Sequence, residues 1–168
     1  MYAARHFLKS DEGSLQPMLD LWKKKSQNRR ALSIILRNYS GFTLADLVSF
    51  DRSIMKPTAR KNRDGETYNV SWNCGAEGKT RKKSILELRL KQMKNAMLLL
   101  LTAQGTPMIV SGDEFGFSHG GNNNPYCQDN AVSWLNWKLM ETNREFFSFV
   151  KEAVAFRKNI LCSIVRMN

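Results

Sequence analysis

The stretch SILELRLKQMKNAMLLLLTAQGTPMIVSGDEFG, Ser84 to Gly116, changes its repeat within thirty-odd positions. Ser84 and Glu87 form a capping-box pattern, and Leu86, Leu90, Met93, Met97 and Leu101 recur at the spacing of one helical face until Gly105 ends the run. Pro107 to Val110 then reads as a short buried strand. Behind it come an acid pair, Asp113 and Glu114, several glycines and three consecutive asparagines, Asn122, Asn123 and Asn124. Helix, buried strand and polar loop in this order point to an α/β protein with a parallel sheet, whose functional loops follow the carboxyl ends of its strands.

The upstream sequence repeats the theme. Leu15, Met18, Leu19 and Trp22 lie at helical spacing, with Pro17 in the first turn where proline is tolerated. In ALSIIL, Leu32, Ile34, Ile35 and Leu36 form an apolar run, the pattern of a parallel strand covered on both faces. In GFTLADLVSF, Thr43 is placed to cap a short helix and Asp46 sits at its third position, near the positive end of the dipole. Asp51 to Lys83 has no sustained period and far exceeds the usual connection of about 4–6 residues. Downstream, a second long loop spans 112–140. Thr142 and Glu145 repeat the capping-box pattern before Phe146, Phe149, Val150, Ala153 and Val154, so the chain ends on an amphipathic helix. Two strands cannot bury both faces and close their edges, which makes the pattern part of something larger.

Composition narrows the function. The chain has 168 residues, enough for a single domain over 1–168, and 42% hydrophobic residues argue for a packed core. A formal charge of +11 raises the question of polyanion binding by KKKSQNRR, KPTARKNR and KTRKK. No recognition helix or base-stacking motif accompanies those tracts, so solvated surface charge is the preferred reading and no specific nucleic-acid partner is expected. Cys74, Cys127 and Cys162 fit neither a zinc spacing nor a disulfide framework, and His119 stands apart from any ligand cluster. A reducing cytoplasm, no metal and no other cofactor are expected. The amino terminus lacks an apolar signal core, and the most apolar run is too short to cross a bilayer, so no membrane partner is expected.

GFTLADLVSFDR, NRDG, YNVSWNCGAEG, LRLKQMKNAMLLLLTAQGTPMIVSGDEFG and GNNNPYCQDNAVSWLNW, in that order, resemble the debranching branch of the α-amylase-type glycoside hydrolases, the isoamylases and glycogen debranching enzymes. The resemblance covers roughly Gly41 to Trp137. It implies a partial (β/α)8 TIM barrel, with ALSIIL as the seventh strand, PMIVS as the eighth, and the loops behind them facing an α-glucan such as glycogen or starch.

Hydrolysis of an α-1,6-glucosidic bond by such an enzyme needs a nucleophilic carboxylate and an acid about 5–5.5 Å apart. The resemblance places both on earlier strands, outside the matched region. The family's third carboxylate lies in a His-Asp pair whose positions here hold Tyr39 and Ser40. A neutral serine hydroxyl cannot offset an oxocarbenium-like charge as a carboxylate does. Asp113 and Glu114 are adjacent and would point to opposite faces of a strand, so they cannot easily flank one bond, and the resemblance implies that they support the eighth loop and the floor of the substrate site. Asn122, Asn123 and Asn124 offer amides to sugar hydroxyls and Tyr126 an amphipathic ring, although asparagine-rich loops also satisfy their own backbone. Trp72, Trp134 and Trp137 read as packing residues before sugar platforms.

The leading expectation is therefore a fragment or degenerate member of a debranching glycosidase, inactive alone, with an α-glucan and either the missing barrel segment or a second copy as partners. The alternative is a noncatalytic glucan-binding or protein-interaction module.

Overall fold

A computed structural model of the chain describes residues 2–23, 33–35, 41–54, 68–103 and 105–166, with 21–23, 33–35 and 161–166 described by their backbone alone. The order is α1 (Tyr2–Leu8), α2 (Leu15–Lys23), β1 (Ser33–Ile35), α3 (Leu44–Leu47), α4 (Lys83–Thr102), β2 (Thr106–Met108), a 3-10 turn (Asp113–Phe115), α5 (Leu139–Thr142) and α6 (Arg144–Arg166). β1 and β2 pair in parallel, with Ser33 opposite Thr106, Ile34 opposite Pro107 and Ile35 opposite Met108. The described residues thus form a mainly helical α/β assembly around a minimal parallel sheet, and α3 and α4 lie in the crossover between its strands. Among them no helix is long and apolar enough to cross a membrane.

The core lies between helices. Ala96, Met97 and Leu100 of α4 meet Phe146 and Val150 of α6, with Ala4 of α1, Met18 of α2 and Leu44 of α3 closing the cluster. Phe146 and Met97 are almost wholly buried, which follows from the apolar stripe each helix carries. The last carbonyls of α4 would be orphans. Arg157 on α6 answers them by donating from Nη1 to Leu101 O at 2.5 Å and Ala103 O at 2.8 Å, and from Nη2 to Gly105 O.

Several expectations need correction. Residues 84–87 make no capping box, because α4 starts at Lys83 with Lys82 as its cap residue, and the backbone N–H of Lys82 is taken up by Thr80 Oγ1 at 3.2 Å. Leu86 is exposed, and Arg89 takes the buried place near the start of that helix. Thr142 closes α5 by donating to Lys138 O, and α6 begins two residues later at Arg144. β2 is not a buried strand, since Met108 keeps 48% of its surface and Thr106 is exposed as well, because the helices pack chiefly on one another and leave β2 largely uncovered. α1 was not anticipated; seven residues with Arg5 on the inward side carry too little periodicity.

Phe146→Ala should cost about 3–5 kcal/mol of unfolding free energy in urea titrations, and Leu86→Ala less than about 1 kcal/mol. Equal losses at the two positions would contradict this assignment of the core.

Candidate functional site

The loops behind the two strands, residues 41–54 and 109–124, meet at the strands' carboxyl ends and hold each other through side chains. Thr43 caps α3 with its Oγ1, which accepts from Asp46 N at 3.1 Å. That cap turns the Asp46 carboxylate toward the second loop. Its Oδ1 accepts from Ser118 Oγ at 2.5 Å and Gly121 N at 3.3 Å, and its Oδ2 accepts from His119 N at 2.9 Å. The tie is returned from the other side, where Asp113 Oδ1 accepts from Leu44 N at 3.0 Å. Both acids are buried, so the loops are cross-braced by two carboxylates that solvent hardly reaches. Burial pushes the Asp46 carboxyl above the usual carboxylate range, against the pull of the bonds from Ser118, His119, Thr43 and Gly121.

Backbone bonds complete the junction: Gly41 N donates to Asn123 O at 2.8 Å and Ile54 N to Gly121 O at 2.7 Å. Gly121 has φ +82°, and a Cβ there would sit 2.8 Å from the Phe50 ring, so the ring fits only against glycine. The same ring lies against Gly78, where a Cβ would come within 3.1 Å.

The segment containing Gly78 is organised by Arg89 and Glu77. The Arg89 guanidinium donates to Gly78 O at 2.7 Å, Asn73 O at 3.0 Å, Ser49 O at 3.5 Å and Ala76 O, drawing four carbonyls around one buried cation. Glu77 accepts from Asp51 N and Asn73 Nδ2, each at 3.0 Å, and from Arg52 N at 3.2 Å. Partial burial works against its charge, but these bonds together with Arg52 hold its carboxyl below the usual range. Cys74, buried beside this segment, has its thiol pushed up to about 11 by burial.

The asparagine loop divides into buried and open parts. Asn123 is buried; its Oδ1 accepts from Ser53 Oγ at 2.8 Å and its Nδ2 donates to Asn69 Oδ1 at 3.2 Å. Asn122 is buried too, accepting from Asn124 N at 2.9 Å and donating to Gln128 Oε1 at 3.3 Å. Asn124 Oδ1 faces Tyr126 N at 3.4 Å, while the Tyr126 side chain is 82% exposed. Glu114 Oε2 accepts from Gly112 N at 2.8 Å and so folds back on its own turn. The structure therefore gathers Asp113, Asn122, Asn123 and Asn124 at the loop junction and leaves Tyr126 as the open ring. Tyr39 and Ser40 lie outside the described residues. Trp134 and Trp137 are not buried packing residues: they are 60% and 63% exposed, the Trp134 indole N–H being drawn to the exposed Asp129 at 2.7 Å and the Trp137 ring meeting the core only at Phe115, 5.7 Å away. Asp46, Arg89 and Glu77 were not singled out as site residues from sequence; only the position of Asp46 beside the Thr43 cap was visible there.

Comparison with known proteins came out as follows. The chain is 44% identical over 140 residues to the glycogen operon protein GlgX homolog of Mycobacterium tuberculosis (strain ATCC 25618 / H37Rv), covering 83% of this chain and 19% of that relative. It is 44% identical over 120 residues to isoamylase 1, chloroplastic, of Arabidopsis thaliana, covering 71% and 15% respectively. It is 40% identical over 141 residues to the glycogen debranching enzyme of Erwinia tasmaniensis, covering 84% and 21%. The chain thus spans about a fifth or less of the length of these curated relatives. No family model matches it.

Asp46→Asn keeps the shape but turns an amide N–H toward donors, and should lower stability by about 1–3 kcal/mol in chemical denaturation. An unchanged midpoint would remove the clamp from its central place. For Glu77, whose folded-state value is lowered, the contribution is full above the ordinary range near 4.5 and is lost as pH falls through the lower folded-state value. Glu77→Gln should flatten that part of the stability–pH curve, and a wild-type slope in the variant would contradict the assignment.

Proposed function

We propose, for a chain that belongs over most of its length to the family of the isoamylases and glycogen debranching enzymes, that its two strands are the seventh and eighth of a (β/α)8 barrel and its clamped loops one wall of an α-glucan groove. The observation that carries this reading is the parallel β1–β2 pair with α3 and α4 in the crossover and both post-strand loops locked together at the carboxyl ends. In barrels of this kind the carboxyl face is where substrate is bound.

The side chains present favour holding a sugar over cleaving it. A retaining glycosidase needs two carboxyl groups facing one bond. Asp46 and Asp113 are buried and spend their oxygens on the neighbouring loop, and Glu114 accepts from Gly112 N. What these acids do, with the buried Asn122 and Asn123 behind them, is fix the wall, on which Tyr126 and the half-buried Asn124 meet the glucan. Hydrolysis of α-1,6-glucosidic bonds belongs to a complete site, to which this chain adds the eighth loop. The free outer edges of β1 and β2 among the described residues suit a polypeptide that carries the adjoining strands, or a second copy of the chain. Cys74 and Cys127 are free thiols, in keeping with a reducing cytoplasm.

The purified chain should release no reducing ends from pullulan or amylopectin at any pH, yet co-sediment with glycogen, and Tyr126→Ala should weaken that retention several-fold. Reproducible reducing-sugar release from the chain alone would overturn the non-hydrolytic reading, and absence of retention would overturn the glucan wall.

A further inference from the structure

Helix α1 closes the core with Ala4 and also carries a cation inward. Arg5 is buried; its Nη1 donates to the backbone carbonyl of Asn69 at 2.9 Å, and the Tyr2 ring lies 6.0 Å from the guanidinium carbon. Asn69 is buried as well and passes the contact on, its Oδ1 accepting from Asn123 Nδ2 at 3.2 Å. Asn123 in turn holds the loop behind β1: its Oδ1 accepts from Ser53 Oγ at 2.8 Å and its carbonyl from Gly41 N at 2.8 Å. One line of hydrogen bonds therefore runs from α1 into both loops of the wall.

The residue after Asn69 shows that this line carries strain. Val70 has φ +48°, and of the described non-glycine residues with positive φ it alone is β-branched. A β-branched side chain in the left-handed region is a conformational outlier, and it stays there only where its surroundings hold it. The hold is visible on both sides. The Asn69 carbonyl that Arg5 grips belongs to the peptide unit whose rotation against Val70 defines that φ, and two residues on Trp72 N donates to Leu47 O at 2.9 Å. The Val70 side chain is buried and lines, with Arg5, Leu8, Leu47 and Trp72, a small apolar cavity between α1, α3 and α4. Loss of the guanidinium would strip a buried acceptor of this donor and let Val70 turn toward ordinary negative φ, carrying the Asn69 amide away from Asn123.

We propose that Arg5 is a positioning residue for the asparagine loop: its guanidinium holds Val70 in the left-handed conformation and thereby keeps Asn123 bonded to Asn69. Asn124 and Tyr126 follow directly on Asn123, so a helix outside both loops sets where they stand. The consequence for a glucan rests on the reading of the wall, whereas the relay rests on these contacts alone.

The test is residue-level hydrogen–deuterium exchange by NMR on the intact chain, together with glycogen co-sedimentation. Gly41 is the reporter, because its amide donates to Asn123, and His119 is the reference, because its amide donates to Asp46. A loss of overall stability speeds both amides, whereas the relay speeds Gly41 alone. Arg5→Met keeps the stem and removes the donor; Gly41 should then exchange about tenfold faster with His119 unchanged, and glycogen retention should fall several-fold. Arg5→Lys, which keeps a charged donor on a shorter stem, should restore part of the Gly41 protection. Asn69→Ala leaves the carbonyl for Arg5 and removes Oδ1, so it should also speed Gly41, and it tests the relay even where Arg5→Met does not fold. Leu8→Ala thins the packing of the same helix and leaves the guanidinium in place. Wild-type exchange of Gly41 in Arg5→Met or in Asn69→Ala would overturn the relay. Parallel acceleration of Gly41 and His119 in Arg5→Met, or an equal Gly41 response to Leu8→Ala, would overturn it too, assigning Arg5 to packing alone. A wild type that retains no glycogen while Gly41 still responds as expected would overturn the wall and support the relay.

Discussion

Two buried carboxylates, exchanged between two loops, hold the carboxyl end of this structure together. Asp46 belongs to the loop behind β1 and accepts from Ser118, His119 and Gly121 behind β2; Asp113 belongs to the second loop and accepts from Leu44 in the first. Taking a carboxylate out of water is costly unless its oxygens find donors. Here the donors are chiefly backbone N–H groups at the start of α3 and in the turn at 118–121, which would otherwise be orphans of their own. Each acid thus satisfies the other loop's unpaired amides, and the geometry of one loop becomes a condition for the other.

A second layer rests on that clamp. The Phe50 ring lies against both Gly78 and Gly121, so a Cβ at Gly121 would collide with it and one at Gly78 would crowd it. Arg89 then gathers the carbonyls of residues 49, 73, 76 and 78, and Glu77 gathers the amides of 51 and 52. One cation collecting acceptors and one anion collecting donors turn an irregular segment into a fixed surface without any strand or helix of its own. Helices α4 and α6 carry the bulk of the apolar packing underneath and give this polar superstructure a packed floor.

How much of this was legible in the sequence follows from the range of each interaction. α2, α4 and α6 announced themselves through apolar spacing, and Thr43 as a cap through its place ahead of Leu44, because those signals act over three or four residues. The parallel pair was readable from two apolar runs separated by helical sequence, and the family resemblance rested on motifs in a fixed order. The clamp was not readable: Asp46 and Ser118 are 72 positions apart, and nothing local distinguishes a carboxylate that will bind a distant turn from one that favours its own helix dipole. Local pattern also misled where it matched by composition alone. Ser84 with Glu87, and Thr142 with Glu145, have the residue types of a capping box, but the helices start elsewhere because Thr80 receives the Lys82 amide and Thr142 belongs to the preceding helix. Trp134 and Trp137 looked like packing residues because indoles usually are, and nothing local in the sequence marks them as the two that stay open.

The central claim is that the two loops form one preset wall before any sugar arrives. Hydrogen–deuterium exchange of the wild-type chain, read at peptide or residue level with and without maltoheptaose, addresses it most directly. The account predicts that the amides of His119 to Gly121 are already protected in the free chain and change little on sugar addition, while added protection falls around Asn124 and Tyr126. Exchange of His119 and Gly121 at the rate of an open loop in the free chain, slowing only when sugar is present, would contradict it.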